Sequence, residues 1–462
     1  MAKGSVAAPA ISKRAKSDPR RIEGFEEMPR APSPPPGTSE LEALTYPPGL
    51  LGHATDYAYR SAMYPDRRIA LWGALVGLAK ILDRRVIGPS GSSTVLYSLL
   101  IGASGSGKED GLQFSTKLLE AAGHGYERLL QGGHLASVQA IEDMIRATPN
   151  CLAVIDELGR WMKTIQDQSG NVSQLPGTLC KLWGQKPYGR YPLIRRANRE
   201  ASDGDLVYVQ WPTMALAGAS VSQLFWNACG DDDISGGFLN RCYFLDAGLG
   251  ALDEATPDFD PFDPLPRWME KLIRVVTRNM GPMQNPLPIM EGHLGPWRLT
   301  WSAQGQDAYR DHVRETRRLP EGRKRDLSIR TTELSARLST ICAVWDGWLE
   351  VSPTYFEWGW ALAEHSRAEL LRGASEYRKV KRDFEVVCDH IKDLLVDGPR
   401  RWMDIRSKSR SAGGQWGMEI VEKALAEVIA SGEVREIPHD EQVNRGLRSA
   451  AGAPGRWFEL KD

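Results

Sequence analysis

Apolar positions along this chain follow two patterns. Residues 69–82 are apolar on almost every side, the mark of a helix buried all round, within a longer helical stretch from 41 to 83 that Pro47 and Pro48 open. Beyond about residue 92 short apolar runs take over, at 95–101, 151–155, 206–210, 213–218 and 241–246. Amphipathic stretches at 112–122, 136–147, 174–184 and 221–228 separate them. Short apolar runs interleaved with helices predict a parallel sheet wrapped by helices. Residues 1–40 show neither period. They carry Lys13, Arg14, Lys16, Arg20 and Arg21 and a proline run at 29–37, a composition that predicts a disordered tail, either solubilising or a tether that touches nucleic acid.

Residues 248–295 are rich in proline and acid and read as a connector with one helix near 267–278. From 300 to 382 the pattern is helical, with Trp301, Trp345, Trp348, Trp358 and Trp360 read as the core of a helical lid rather than as base-stacking platforms. The last stretch predicts helices at 384–396, 402–408 and 418–431, then strands at 434–437 and 456–460. Three helices and a hairpin make a winged-helix pattern, whose third helix would read a groove. Arg400, Arg401, Arg406, Lys408 and Arg410 crowd its approach against Asp404, and Arg445 and Arg448 sit in the wing loop. Such a patch suits phosphates. Glu419, Glu422 and Glu427 on the third helix oppose deep insertion, and winged helices also bind proteins. The predicted divisions are a tail at 1–40, a helical segment at 41–91, a core at 92–250, connector and lid at 251–382, and a winged helix at 383–462.

Composition narrows the partners. The chain has 462 residues with 58 basic and 59 acidic side chains, so nucleic-acid contact must come from local patches. Six scattered cysteines form no CxxC, which predicts a reducing compartment without a zinc site or disulfides. No apolar run nears the roughly 18 residues that cross a bilayer, so the expected location is the cytoplasm.

The chemistry centres on Gly102-Ala-Ser-Gly-Ser-Gly-Lys108, between an apolar strand and a helix. Glycines let backbone N–H groups point at a polyphosphate, lysine adds charge at the β/γ end, and the helix N-terminus adds donors. The candidate cradle is Gly102, Ser104, Gly105, Ser106, Gly107 and Lys108. The next position, where a Ser or Thr ligates Mg²⁺, holds Glu109. A carboxylate can ligate Mg²⁺ but brings negative charge beside the phosphates, so either altered metal dependence or a weak, inactive loop follows. A second apolar strand ends in Asp156 and Glu157; one acid can hold Mg²⁺ and the other activate water. Ser220, at the end of the strand from 213, is a candidate γ-phosphate sensor or else a helix N-cap. Arg241, after a glycine-rich turn, fits an arginine finger for a neighbouring subunit's nucleotide, or an ion pair with Asp231–Asp233 or Asp246. Arg337 is a weaker candidate, as a lid arginine reaching the phosphates. Residues 186–199 interleave Arg190, Arg195, Arg196 and Arg199 with Tyr188 and Tyr191, which suits single-stranded DNA or a solvated loop.

Five stretches together resemble a family of P-loop ATPases of phage, prophage and plasmid origin, of primase–helicase type: Tyr46-Pro-Pro-Gly-Leu-Leu51, Ile101 to Asp110, Ala136 to Glu142, Val154 to Gly159 and Gly237 to Arg241. The resemblance covers about residues 40–380, and an acid after the loop lysine is a variant within that family. It implies a RecA/AAA-like α/β core and a helicase-type motor for mobile-element DNA replication. It also implies a homo-oligomeric, hexameric ring with an arginine supplied in trans. Lys108 would bind the β/γ-phosphates of ATP, Asp156 Mg²⁺, Glu157 would be the base and Arg241 the finger. No primase-type module is recognised upstream of the core, so priming would be expected to need another chain. The leading expectation is a DNA-dependent ATPase. The alternative is a nucleotide-gated DNA-binding scaffold or replication initiator, and a packaging or recombination motor ranks last.

Overall fold

The computed structural model describes residues 18–123, 130–132, 135–167, 172–193, 208–229, 237–250, 254–278, 296–320, 323–411, 418–447 and 455–461. The chain divides into two compact units, residues 1–371 and 372–462.

The first unit opens with helices α1 (Glu40–Leu44), α2 (Gly49–Ser61) and α3 (Arg67–Leu82) and a short strand β1 (Val86–Ile87). Then come β2 (Tyr97–Ile101), α4 (Lys108–Ala121), β3 (Leu130–Gly132), α5 (Val138–Ala147), β4 (Asn150–Ile155), α6 (Leu158–Asp167) and α7 (Leu175–Trp183). After these follow β5 (Arg190–Pro192), β6 (Tyr208–Gln210), β7 (Thr213–Ser220), α8 (Ser222–Ala228) and β8 (Cys242–Asp246). Five of these strands form one parallel sheet in the order β3-β4-β7-β2-β8. Register aligns Ile101 with Ser220 on one side and Asp246 on the other, so the chain leaves all three strands at one edge. Strands β2 and β7 are buried throughout, as a parallel sheet covered on both faces requires.

The buried helix α3 lies on α4 at backbone distance. A Cβ on Gly73 would stand 2.4 Å from the Gly111 carbonyl oxygen, and one on Gly77 2.9 Å from Leu118. Only glycine permits this approach. It fixes the helix whose first residue is Lys108.

The rest of the unit is α9 (Arg267–Arg278), β9 (Trp297–Arg298), β10 (Thr300–Trp301), α10 (Ala303–Arg318), α11 (Arg323–Trp345), β11 (Glu350–Val351) and the start of α12 (Pro353–Val396). The tryptophans pack as expected. Trp345 is fully buried and donates to the Leu78 carbonyl at 3.1 Å, Trp358 donates to Leu44, and Trp301 stacks on Tyr309. The edge strand β8 is covered by α12, where Ser366 and Glu369 accept the N–H groups of Phe244 and Asp246.

The second unit holds the end of α12, then β12 (Arg400–Arg401), α13 (Trp402–Ser411), α14 (Met418–Ala430), β13 (Val434–Glu436), α15 (His439–Asn444) and β14 (Trp457–Leu460). Its antiparallel sheet runs β12-β14-β13, and Val387, Ile391, Ile405, Leu425 and Phe458 lie in its core.

Several expectations need correction. The tail is ordered from residue 18: Ile22 and Phe25 are buried, and Ile22 donates to the Gly347 carbonyl at 2.9 Å. Two apolar anchors outweigh the prolines, and residues 1–17 lie outside the described residues. The 206–210 run does not join the main sheet. Its described part, β6, pairs antiparallel with β5, because Trp211 takes a left-handed turn (φ 45°) before β7. The helix expected from 384 is the end of α12, which no Gly or Pro interrupts between Ala374 and Val396. Helices α6 and α15 were not anticipated. Among the described residues, no helix is long and apolar enough to cross a membrane.

Candidate functional site

The loop after β2 turns at Gly105 (φ 75°) and Gly107 (φ 81°), both left-handed, and delivers the chain into α4. Neighbours hold it at two points. Gly102 N–H donates to the Ser220 carbonyl at 3.2 Å and Ala103 N–H to the Gly248 carbonyl at 2.7 Å. An added Cβ at Gly105 would meet nothing within 4 Å, so this side of the loop is open. Lys108 folds back over the loop. Its Nζ donates to the carbonyls of Gly102 at 3.2 Å and Ala103 at 2.5 Å, and to Ser106 Oγ at 3.3 Å. Partial burial lowers the Lys108 pKa, against the pull of Asp156 and Glu109. The first turn of α4 adds N–H groups that a helix start leaves without internal partners.

The acids lie at the same edge, one strand removed: β7 intervenes between β2 and β4. Asp156 and Glu157 are both exposed, and Asp156 Oδ1 accepts the Glu157 N–H at 2.9 Å. Glu157 is left-handed (φ 56°), an arrangement that costs a non-glycine residue on the order of 1 kcal/mol or more. Its carbonyl accepts the Arg160 and Trp161 N–H groups in the first turn of α6, and its carboxylate pairs with Arg160 at 2.8 Å. Ser220 is buried. Its Oγ accepts the Gly159 N–H at 3.2 Å and donates to the Val221 carbonyl at 3.2 Å. It is not an N-cap; Val221 holds that position on α8. Ser220 instead ties the end of β7 to the start of α6. Among the described residues no group of three or more His, Cys, Asp or Glu could hold a metal ion. A Mg²⁺ held by Asp156 and Glu109 would therefore share its shell with a substrate's phosphates, the usual arrangement for that ion.

Arg241 stands elsewhere. It precedes β8, whose first residue aligns with Tyr97, so it lies at the sheet edge opposite the glycine loop. Its guanidinium donates to the Gly237 carbonyl at 2.5 Å and sits 5.7 Å from the Trp183 ring centre, and its Nε is buried without a partner among the described residues. The alternative partners Asp231–Asp233 lie outside the described residues. Arg337 corrects the lid-arginine expectation. It is buried at that same far edge, stacked on Trp183 at 3.8 Å and bonded to the carbonyls of Val95 and Trp183. Its role there is structural.

The nucleic-acid candidates are dispersed. Arg190 is exposed on the β5–β6 hairpin with its guanidinium over Tyr208 at 4.7 Å, while Arg195, Arg196 and Arg199 lie outside the described residues. In the second unit Arg400 donates to the Leu394 carbonyl and pairs with Asp397, and Arg401 lies over Trp457. Arg406 and Lys408 lie on α13, each engaged by another group of the protein. Arg445, expected in a wing loop, is tied to Glu441 and Glu459, and Arg448 lies outside the described residues.

Sequence reasoning missed Tyr64, whose carbonyl stands 3.5 Å from where a Gly107 Cβ would be, and Arg160, the partner of Glu157. An isolated polar residue outside a motif gives no sequence signal. Comparison with protein-family models and with curated proteins returns no match.

Proposed function

We propose that the chain is a P-loop ATPase with a RecA/AAA-like core, whose turnover is coupled to DNA, and whose second unit is a winged helix. The observation that carries the reading is Lys108 folded over the open glycine loop, with Asp156 and Glu157 across one intervening strand at the same sheet edge. A triphosphate in this cradle takes backbone N–H donors from the loop and first turn of α4 and exchanges the lysine's carbonyl partners for its own oxygens. Mg²⁺, when bound, offsets phosphate charge and orients the terminal group. Asp156 and Glu109 would hold it. Glu157 would accept a proton from the attacking water once its carboxylate leaves Arg160. Arg241, at the far edge, would serve only a neighbouring copy's nucleotide, which supports a ring of copies. Exposed Arg190 and Tyr188 beside the β5–β6 pair, and the local cluster of Arg401, Arg406 and Lys408 in the second unit, support single-stranded DNA as the partner.

Steady-state ATP hydrolysis with and without single-stranded DNA, beside Lys108→Ala, tests the reading. Turnover stimulated by DNA and lost in Lys108→Ala is expected. ATP binding without turnover in the wild type would overturn the motor. It would favour a nucleotide-gated scaffold, the reading that Glu109 supports. Glu157→Gln should bind ATP and fail to turn it over.

A further inference from the structure

Between β8 and α9 the chain carries Asp258-Phe-Asp-Pro-Phe-Asp-Pro264, and this turn is firmly built. Phe259 stacks on Tyr57 with ring centres 4.8 Å apart and takes the Arg60 guanidinium at 4.8 Å. Arg60 also pairs with Asp258 at 2.7 Å. Lys117 of α4 donates to the Pro261 carbonyl at 2.9 Å, and Asp260 Oδ1 accepts the Phe262 N–H at 2.8 Å. All this fixes in place a ring that touches almost nothing: Phe262 is 89% exposed. Asp260 and Asp263, exposed as well, flank it. A phenyl ring held in water on a fixed acidic turn gains its transfer free energy only when something covers it.

The same unit carries a receptor of matching size and charge. An open cavity of about 250 Å³ is lined by Tyr309, Val313 and Ile329, by the hydroxyl side chains of Ser90, Ser92, Thr316 and Thr332, and by the exposed cations Lys186 and Arg317. Among the described residues neither cation has a carboxylate partner. Glu333 also lines it, but is neutralised by Arg330 at 3.0 Å and Arg337 at 3.4 Å. The cavity's volume exceeds the roughly 150 Å³ that accommodates a benzene ring in an enclosed apolar cavity, so a phenyl ring fits by size, against Tyr309, Val313 and Ile329. We propose that Phe262 of one copy inserts into this cavity of a second copy, with Asp260 and Asp263 facing Lys186 and Arg317. The knob is anchored on α4, the glycine-loop helix. The cavity lies beside Glu333 and Arg337, at the sheet edge that carries Arg241. The contact joins different surfaces, so it is head-to-tail and propagates into a ring or filament. The inference rests on the ring reading above and names the contact that would build it.

Sedimentation velocity of the full chain over a concentration series, with ATP and Mg²⁺, tests this. Phe262→Ala should raise the dissociation constant about tenfold to a hundredfold. Asp263→Lys should weaken association, as should Lys186→Glu with Arg317→Glu, and mixing the two reversed partners should restore it. A wild type that stays monomeric overturns the contact. So does a wild type that associates while Phe262→Ala associates equally well, or charge reversals that do not complement. ATP titration of the same wild-type sample and of Lys108→Ala reports on the ATPase reading separately. Absent binding in the wild type sinks that reading whatever the association shows.

Discussion

Lys80→Met replaces a buried cation by an apolar side chain of similar length. Lys80 and Asp83 are fully enclosed in the first unit. Lys80 Nζ donates to Asp83 at 3.1 Å, to the Cys151 carbonyl at 2.8 Å and to the Thr213 carbonyl at 2.9 Å, pinning α3 to the starts of β4 and β7. Asp83 keeps one other partner, the Thr94 hydroxyl at 2.9 Å. Removing one member of a buried pair leaves a charge without compensation, which costs about 3–5 kcal/mol. Lys80→Met/Asp83→Asn removes that charge and should cost only about 1–2 kcal/mol, the loss of the hydrogen bonds alone. Urea unfolding followed by tryptophan fluorescence compares the midpoints at constant slope. The pH dependence gives a second reading. Burial pushes the Asp83 carboxyl up, and Lys80 opposes it. Without Lys80 the folded-state pKa rises further above the unfolded value, so the folded protein holds the proton more tightly. The penalty in Lys80→Met is then present at neutral pH and shrinks as pH falls through that raised pKa. A single mutant within about 1 kcal/mol of wild type, or a double mutant no more stable than the single, would refute the reasoning.

Burial lowers the Lys108 pKa, so ATP affinity should be flat near neutrality and fall at alkaline pH before an ordinary lysine deprotonates; Lys108→Arg should flatten the profile, and a wild-type affinity that stays level there contradicts the role. Glu157→Gly and Glu157→Gln both lose the Arg160 pair, but only glycine relieves the left-handed backbone. Chemical denaturation should find Glu157→Gly more stable by about 0.5–1 kcal/mol, with neither variant hydrolysing ATP, and equal stabilities would remove the strain argument. Gly73→Ala drives a methyl into the Gly111 backbone and should cost about 1–3 kcal/mol together with ATP affinity, whereas Gly177→Ala, with open space around it, should be neutral or stabilising.

The strand, glycine loop and helix around Lys108 were legible because their requirements are local. A strand, left-handed glycines and a lysine at a helix start must be consecutive in sequence, and so they are in Gly102–Lys108. The buried helix α3 was legible for the same reason, from its lack of a polar face. Less was visible wherever a residue's role depends on a distant partner. Arg337 has the look of a lid arginine in sequence, yet Trp183 and the Val95 carbonyl claim it. Arg445 has the look of a wing cation, yet Glu441 and Glu459 neutralise it. The 208–210 run has strand composition, and its pairing with β5 follows from the turn at Trp211, which no hydrophobic period encodes. Ile22 and Phe25 pin a stretch whose composition reads as disordered, because two well-placed side chains weigh little in a composition and much in a fold.

The parallel sheet has two chemically different ends, and this bears directly on assembly. Glycine loop, acid pair and Ser220 gather where the strands end; Arg241, Arg337 and the cavity lined by Ser92 and Glu333 gather where they begin. The four steps from Tyr97 to Ile101 span about 13 Å, beyond the reach of an extended arginine. Arg241 therefore cannot serve the loop of its own chain. If it acts on a nucleotide, copies must stack with the end of one sheet against the beginning of the next. The Phe262 knob is anchored on α4, and its cavity lies at the Arg241 edge. One head-to-tail contact would therefore bring the α4 side of one copy against the Arg241 end of the next. Losing the knob should then lower turnover through assembly while leaving ATP affinity to Lys108 and its loop.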